Sequence, residues 1–102
     1  MRRPAVLTPL ARGELRAAIR KLDNTAARRG LNDAVAEAAR LIGANPALGA
    51  RRLQLAGARY RFWSIPRYRA LLAYTDATEP PRIVRIVHTS QDLPRVHADL
   101  LD

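Results

Sequence analysis

The stretch from Arg67 to Tyr74 constrains the fold more than any other part of the chain. Its apolar and aromatic side chains fall at every second position, which is the spacing of a β-strand with one buried face. The buried face would hold Tyr68, Ala70, Leu72 and Tyr74, and the opposite face Arg67, Arg69, Leu71 and Ala73. The second face mixes charged with apolar side chains, so it resembles neither a core nor a plain solvated surface. The sequence therefore predicts a central strand, continuing to Thr75, with one face available to a partner.

Further strands are predicted on both sides of this stretch. One runs from Tyr60 to Ile65 and ends at Pro66, which cannot donate to a ladder. Another runs from Arg82 to His88, after a turn over 76–81. Because the connections are short, we expect these three strands to form an antiparallel meander. The apolar run from Ala5 to Leu7 predicts a brief first strand.

Two helices are predicted before the strands. Thr8 with Pro9 behind it has the pattern of a helix cap, and the apolar spacing continues to Leu22. A second helix, capped by Asn24 or Thr25, continues to about residue 43, before the break at 43–46. Gly30 lies inside this helix, where it would let the two helices approach closely.

The remaining segments complete one predicted domain over residues 1–102. Residues 46–57 read as an irregular link, and Asp92 predicts the cap of a short C-terminal helix that ends near Leu101. The fold class is α+β, with an N-terminal helical hairpin packed on one face of a small antiparallel sheet.

Alternation assigns the side chains of the sheet to two faces. We expect Tyr60, Phe62, Val84 and Ile86 to point toward the helices with the apolar face of the central strand. The opposite, open sheet face would then present three arginines among apolar side chains: Arg61, Arg69 and Arg85 with Trp63, Ile65, Leu71, Ile83 and Val87. This assignment depends on strand parity, because a slip of one residue would exchange the faces.

Charge gives the open sheet face three interpretations. The formal net charge is +9, and Lys21 is the single lysine among 18 basic residues. Such an excess of arginine favours an acidic partner. The face would bind an acidic peptide through apolar anchors and arginine clamps, or bind RNA with bases stacked on Trp63, or be covered by a loop or the C-terminal helix.

No established catalytic motif is present in the sequence. His88 at a strand end reads either as a general acid or base or as a histidine satisfied by the following turn. His97 and His88 are not at metal-ligand spacing, so we predict no metal site and no cofactor. The chain has no cysteine and no apolar run near the roughly 18 residues of a membrane span, so we predict a cytoplasmic protein.

The order of these motifs resembles the RelE/ParE superfamily of bacterial type II toxins. Two helices precede Asn45-Pro-Ala-Leu-Gly49, then come the strand from Arg67 to Tyr74 and the run from Ile83 to His88, with Asp92-Leu-Pro behind it. The resemblance covers about residues 7–101. It implies that the N-terminal run is an edge strand, and that an antitoxin encoded next door wraps the toxin with its acidic C-terminal segment, giving a hetero-oligomer.

The resemblance implies two alternative activities. RelE-like members cut messenger RNA in the ribosome with basic side chains, and this interpretation would use Arg69, Arg61, Arg85 and His88 here. Of the positions that match RelE-like cleavage residues, Arg69 is retained, whereas Tyr60, Phe62 and Gln91 are not basic. That departure favours the ParE-like alternative, a non-enzymatic inhibitor of DNA gyrase.

A third alternative is a relative that has lost its toxicity or has another target. For the toxin, the predicted partner-binding residues are Arg61, Trp63, Ile65, Arg69, Leu71, Ile83 and Arg85.

Overall fold

The computed structural model of the protein describes residues 2–51 and 59–89. Two helices precede most of the strands, as the apolar spacing predicts. The elements in chain order are β1 (Val6–Leu7), α1 (Pro9–Arg20), α2 (Thr25–Ala44), β2 (Ala50–Arg51), β3 (Arg61–Ile65), β4 (Ala70–Thr75) and β5 (Arg82–His88). The predicted C-terminal helix lies outside the described residues. Neither described helix combines the length and apolarity needed to cross a membrane.

Side-chain caps fix where both helices begin. The Thr8 hydroxyl accepts a hydrogen bond from the backbone N–H of Ala11 at 3.2 Å, and Pro9 fills the first turn. The Asn24 side chain accepts from the N–H of Ala27 at 2.7 Å. Both caps satisfy donors that have no partner within the helix, so the starts of α1 and α2 follow from local sequence.

The described part of the chain forms a mixed sheet of five strands, in the order β1-β5-β4-β3-β2. The three long strands pair antiparallel as predicted, and β1 is an edge strand. The prediction of a purely antiparallel sheet is wrong, because β1 pairs parallel with β5. The second edge, β2, lies in the segment that we expected to be irregular, because a strand of two residues has no detectable alternation.

The helices cover one face of the sheet and bury the main core against it. Leu31, Val35 and Ile42 of α2 meet Leu72 and Tyr74 of β4 in this core. The opposite face carries a smaller cluster of Phe62, Leu71 and Ala73, with exposures of 1–3%. The inward positions of Ala70, Leu72 and Tyr74 therefore match the prediction. The prediction of an exposed opposite face is wrong at the centre of that face, where the side chains are buried.

The central strand begins at Ala70 rather than at Arg67. Pro66–Tyr68 forms a single 3₁₀ turn, and Arg69 follows it in the left-handed conformation with φ 51°. The Tyr68 ring still packs against the main core, and its hydroxyl lies where a side chain at position 30 would project. Gly30 therefore makes room for Tyr68, rather than for α1 as predicted.

The turn between β3 and β4 reverses the predicted faces of β3. Ile65 pairs with Ala70 across residues 66–69, and Trp63 pairs with Leu72. Because directly paired residues share a face, Trp63 and Ile65 point toward the helices and Phe62 points away. Tyr60 also packs against the cluster of Phe62, not against the main core. The predicted parity of β3 is wrong because it extended the strand alternation through a four-residue turn.

A β-bulge reverses part of β5. Ile83 pairs with Tyr74 and Arg85 with Ala73, so Val84 is the extra residue between two successive partners. Ile83 and Ile86 both belong to the main core, whereas Val84 and Val87 pack against the opposite cluster. The predictions for Ile86 and Val87 are therefore right, and those for Ile83 and Val84 are wrong.

Candidate functional site

Arg69 occupies a backbone conformation that glycine normally supplies. Its φ of 51° is the one positive value at a non-glycine residue in residues 2–51 and 59–89. Its N–H donates to the Pro66 carbonyl at 3.1 Å, and its carbonyl accepts from the N–H of Thr89 at 2.7 Å. A left-handed arginine costs about 1–2 kcal/mol relative to the right-handed form. Strain retained at an exposed arginine is a pointer to function, because glycine would relieve it.

His88 lies beside Arg69 at the same end of the sheet. It pairs with Ala70 across β4 and β5, and its side chain is exposed. Arg67 is exposed nearby, with its guanidinium carbon 5.7 Å from the centroid of the Tyr68 ring. We call Arg67, Arg69 and His88 the Arg69 corner. Two predicted site residues thus meet there, and Arg67 joins them through the turn that ends β3.

Arg61 is held in an ion pair rather than presented on the open sheet face. Its guanidinium donates to an Asp76 carboxylate oxygen at 2.9 Å and to the Gly49 carbonyl at 2.8 Å. The hydrogen bond from Arg61 lowers the pKa of Asp76; burial opposes this, and the charge of Arg51 adds to the lowering. The predicted exposure of Arg61 is wrong because its strand position faces the loop over 45–49.

The same loop is fastened by Tyr74. The buried Tyr74 hydroxyl donates to the Pro46 carbonyl and accepts from the N–H of Gly49, each at 2.7 Å. A side chain on Gly49 would collide with the Tyr74 ring and the Phe62 carbonyl. The Asn-Pro-x-x-Gly segment is thus explained by packing against β3 and β4.

Arg85 is also engaged within the fold. Its guanidinium donates to the Glu14 carboxylate of α1, with a nearest distance of 2.9 Å. Glu14 accepts a further hydrogen bond from the N–H of Ile86 at 2.9 Å. β1 pairs with Arg82 and Ile83 of β5, and Glu14 binds the same edge of β5 farther along, at Ile86. The Glu14 carboxylate also neutralises the charge of Arg85. This pair could not be predicted from the sequence, because the partners are 71 residues apart.

The seven predicted partner-binding residues do not share one surface. Ile65 and Ile83 are buried in the main core, and Trp63 packs against it. Leu71 points away from the helices as predicted but is 1% exposed. The positions matched to basic cleavage residues are buried at Phe62 and half-buried at Tyr60, and Gln91 lies outside the described residues. Arg69 is the one member of the seven that is both charged and exposed.

The described residues hold no group of three His, Cys, Asp or Glu side chains that would bind a metal ion. What the Arg69 corner offers is positive charge: two exposed guanidinium groups beside an imidazole. Guanidinium groups make bidentate contacts with carboxylate or phosphate, so the corner suits an acidic segment or a nucleic-acid backbone.

Comparison with known proteins gives a match to a protein family. A family model described as "ParE toxin of type II toxin-antitoxin system, parDE" matches residues 5–93. The matched range includes the helices and strands of the described residues and the Arg69 corner. No curated protein sequence matches the chain.

Proposed function

The chain belongs to the family of ParE toxins of type II toxin–antitoxin systems, and from that premise we propose that it inhibits DNA gyrase and is neutralised by a cognate antitoxin. The family match over residues 5–93 is the observation that carries this proposal. The protein acts by binding, and gyrase held on cleaved DNA blocks replication.

The ion pairs of Arg61 and Arg85 favour a toxin that acts by binding over one that cleaves RNA. Cleavage of a phosphodiester needs cations gathered around the transition state. Arg61 is bonded to Asp76 and Arg85 to Glu14, so two of the four side chains that cleavage would use are engaged within the fold. Arg69 and His88 remain adjacent, and this pair is the observation that favours the alternative of a ribosome-dependent mRNA endonuclease.

The Arg69 corner supports neutralisation by an acidic antitoxin segment. Its arginines are exposed, and the whole chain carries a formal charge of +9. An acidic segment bound there would make bidentate contacts to Arg69 and cover the exposed end of β4 and β5. The toxin and antitoxin would then form a hetero-oligomer, with contacts that do not require the buried side chains of Ile65 or Ile83.

Controlled expression in bacteria tests this function. Synthesis of DNA and of protein is followed by pulse labelling after induction, with and without co-expression of the reading frame that neighbours the toxin gene. We expect DNA synthesis to stop first and the neighbouring frame to restore growth. If protein synthesis stops first and messenger RNA is cleaved, the endonuclease alternative replaces the gyrase proposal.

A further inference from the structure

The exposed side of α1 carries a row of arginines. Arg12, Arg16 and Arg20 are spaced four residues apart, and all three are exposed. Four residues advance an α-helix by about 6 Å and slightly more than one full turn, so the three side chains follow one line along the helix. We call these three residues the arginine ridge.

The ridge is not neutralised by its surroundings. Glu14 is the one acidic residue of α1, and it binds Arg85. Within the described residues, no ion pair involves Arg16 or Arg20. The ridge thus retains its positive charge.

Arg28 of α2 adds a fourth cation at the end of the ridge. Its guanidinium donates to the Leu22 carbonyl at 2.9 Å and to the Arg20 carbonyl at 3.4 Å. These bonds satisfy carbonyls at the C-terminal end of α1, where a positive charge is favourable. They also hold the Arg28 charge beside Arg20, so positive charge continues past the last turn of the helix.

Because Gly13 has no side chain, the backbone of α1 is uncovered beside the arginine ridge. It precedes Arg16 by three residues and Arg20 by seven, so it lies on the same side of α1. A Cβ at Gly13 would meet no atom within 4 Å, and its backbone is not left-handed. Glycine inside an exposed helix costs about 1 kcal/mol relative to alanine, and the fold gives no reason for that cost here. A bare backbone lets another molecule approach closely.

We propose that the arginine ridge and Gly13 bind the phosphate backbone of a nucleic-acid duplex, without reading its sequence. Phosphate contacts alone give such binding, whereas an acidic protein segment also needs apolar anchors for affinity. Leu10 is the one large apolar side chain of α1 that is exposed, and it lies about a quarter turn or more away from Arg16 and Arg20. This proposal does not depend on gyrase, because it concerns the toxin and nucleic acid alone.

Binding of a labelled, mixed-sequence DNA duplex, followed by fluorescence anisotropy across a range of salt concentrations, tests the proposal. Each phosphate contact contributes about 0.9 to the slope of log K against log salt. Arg16→Gln with Arg20→Gln is therefore expected to reduce that slope by about 1.8 and to weaken binding about tenfold at physiological salt. The matched control, Arg40→Gln with Arg82→Gln, removes two exposed arginines elsewhere and leaves the slope unchanged.

Two results would overturn the proposal. The first is an equal loss of affinity in both double variants, which would mean that net charge alone attracts DNA. The second is displacement of the duplex by poly-glutamate as effectively as by unlabelled DNA, which would assign the ridge to an acidic protein. Thermal unfolding of each variant establishes that it is folded. Gyrase is absent from the assay, so its outcome is separate from the test of gyrase inhibition.

Discussion

Some residues of this protein combine two physical properties, such as backbone strain and side-chain charge, that a substitution can separate. Arg69 is the main case, because its left-handed backbone and its exposed guanidinium make opposite demands on residue type. The sequence could single out Arg69 as a candidate site residue. It could not indicate the positive φ, because the alternating pattern around it predicts an ordinary strand position.

Replacement of Arg69 by glycine separates the two demands. We expect Arg69→Gly to retain stability or gain up to about 1 kcal/mol, since glycine adopts positive φ without a Cβ penalty. The same variant is expected to bind the antitoxin more weakly. The control, Arg69→Ala, keeps the Cβ and should lose binding without the gain. Urea unfolding and antitoxin titration measure both effects, and a loss of more than 1 kcal/mol in Arg69→Gly would show a structural role for the side chain.

Asp76 supplies a pH-dependent part of the stability. The Arg61 hydrogen bond lowers the pKa of Asp76 in the fold below its ordinary value of 3.8. Asp76 therefore binds fewer protons folded than unfolded, so its stabilisation is complete above 3.8 and is lost as the pH falls through the lower, folded pKa.

We expect Asp76→Asn to cost about 1–2 kcal/mol at neutral pH, where it replaces a charge-assisted hydrogen bond. The difference from the parent protein should shrink in acid, as Asp76 itself becomes protonated. Urea unfolding at neutral pH and well below 3.8 measures it. A difference that stays constant over this range would mean that the carboxylate charge does not stabilise the fold.

Among the helices and strands, local sequence signals predicted the helix starts correctly. The faces of two strands were predicted wrongly, because they depend on a turn and a bulge. The caps at Thr8 and Asn24 are short-range hydrogen bonds, so the helix starts could be predicted from neighbouring residues. The faces of β3 and β5 depend on the turn over 66–69 and on the bulge at Val84, each of which reverses the alternation. Neither the turn nor the bulge carries a sequence signal as strong as the alternation itself. The predictions for β3 and β5 therefore placed Ile65 and Ile83 on the wrong face.

Two helical glycines should respond oppositely to the same change. A Cβ on Gly13 of α1 would meet open space, so Gly13→Ala is expected to stabilise the protein by about 0.5–1 kcal/mol. A Cβ on Gly43 of α2 would collide with the backbone of Arg3 and Pro4. We expect Gly43→Ala to cost about 1–3 kcal/mol, because backbone cannot rotate aside. Thermal unfolding measures both, and equal effects would contradict the packing of residues 3–4 on α2.

For the molecule as a whole, the fold was more predictable than the site. Apolar periodicity repeats along each long element and so predicted the α+β class, but a surface site depends on which distant side chains pair. Asp76 and Glu14 engage two of the three arginines assigned to the open sheet face, and neither acid stands near its arginine in sequence. Arg69 and His88 meet because the register of β4 and β5 brings Ala70 opposite His88.

Gyrase inhibition is tested most directly by a supercoiling assay with purified gyrase, relaxed plasmid and this protein, freed of antitoxin. We predict that supercoiling falls with toxin dose while cleaved plasmid accumulates, and that added antitoxin reverses both effects. Unimpaired supercoiling by protein shown to be folded, together with cleavage of messenger RNA in a translating extract, would mean that the toxin acts on the ribosome and not on gyrase.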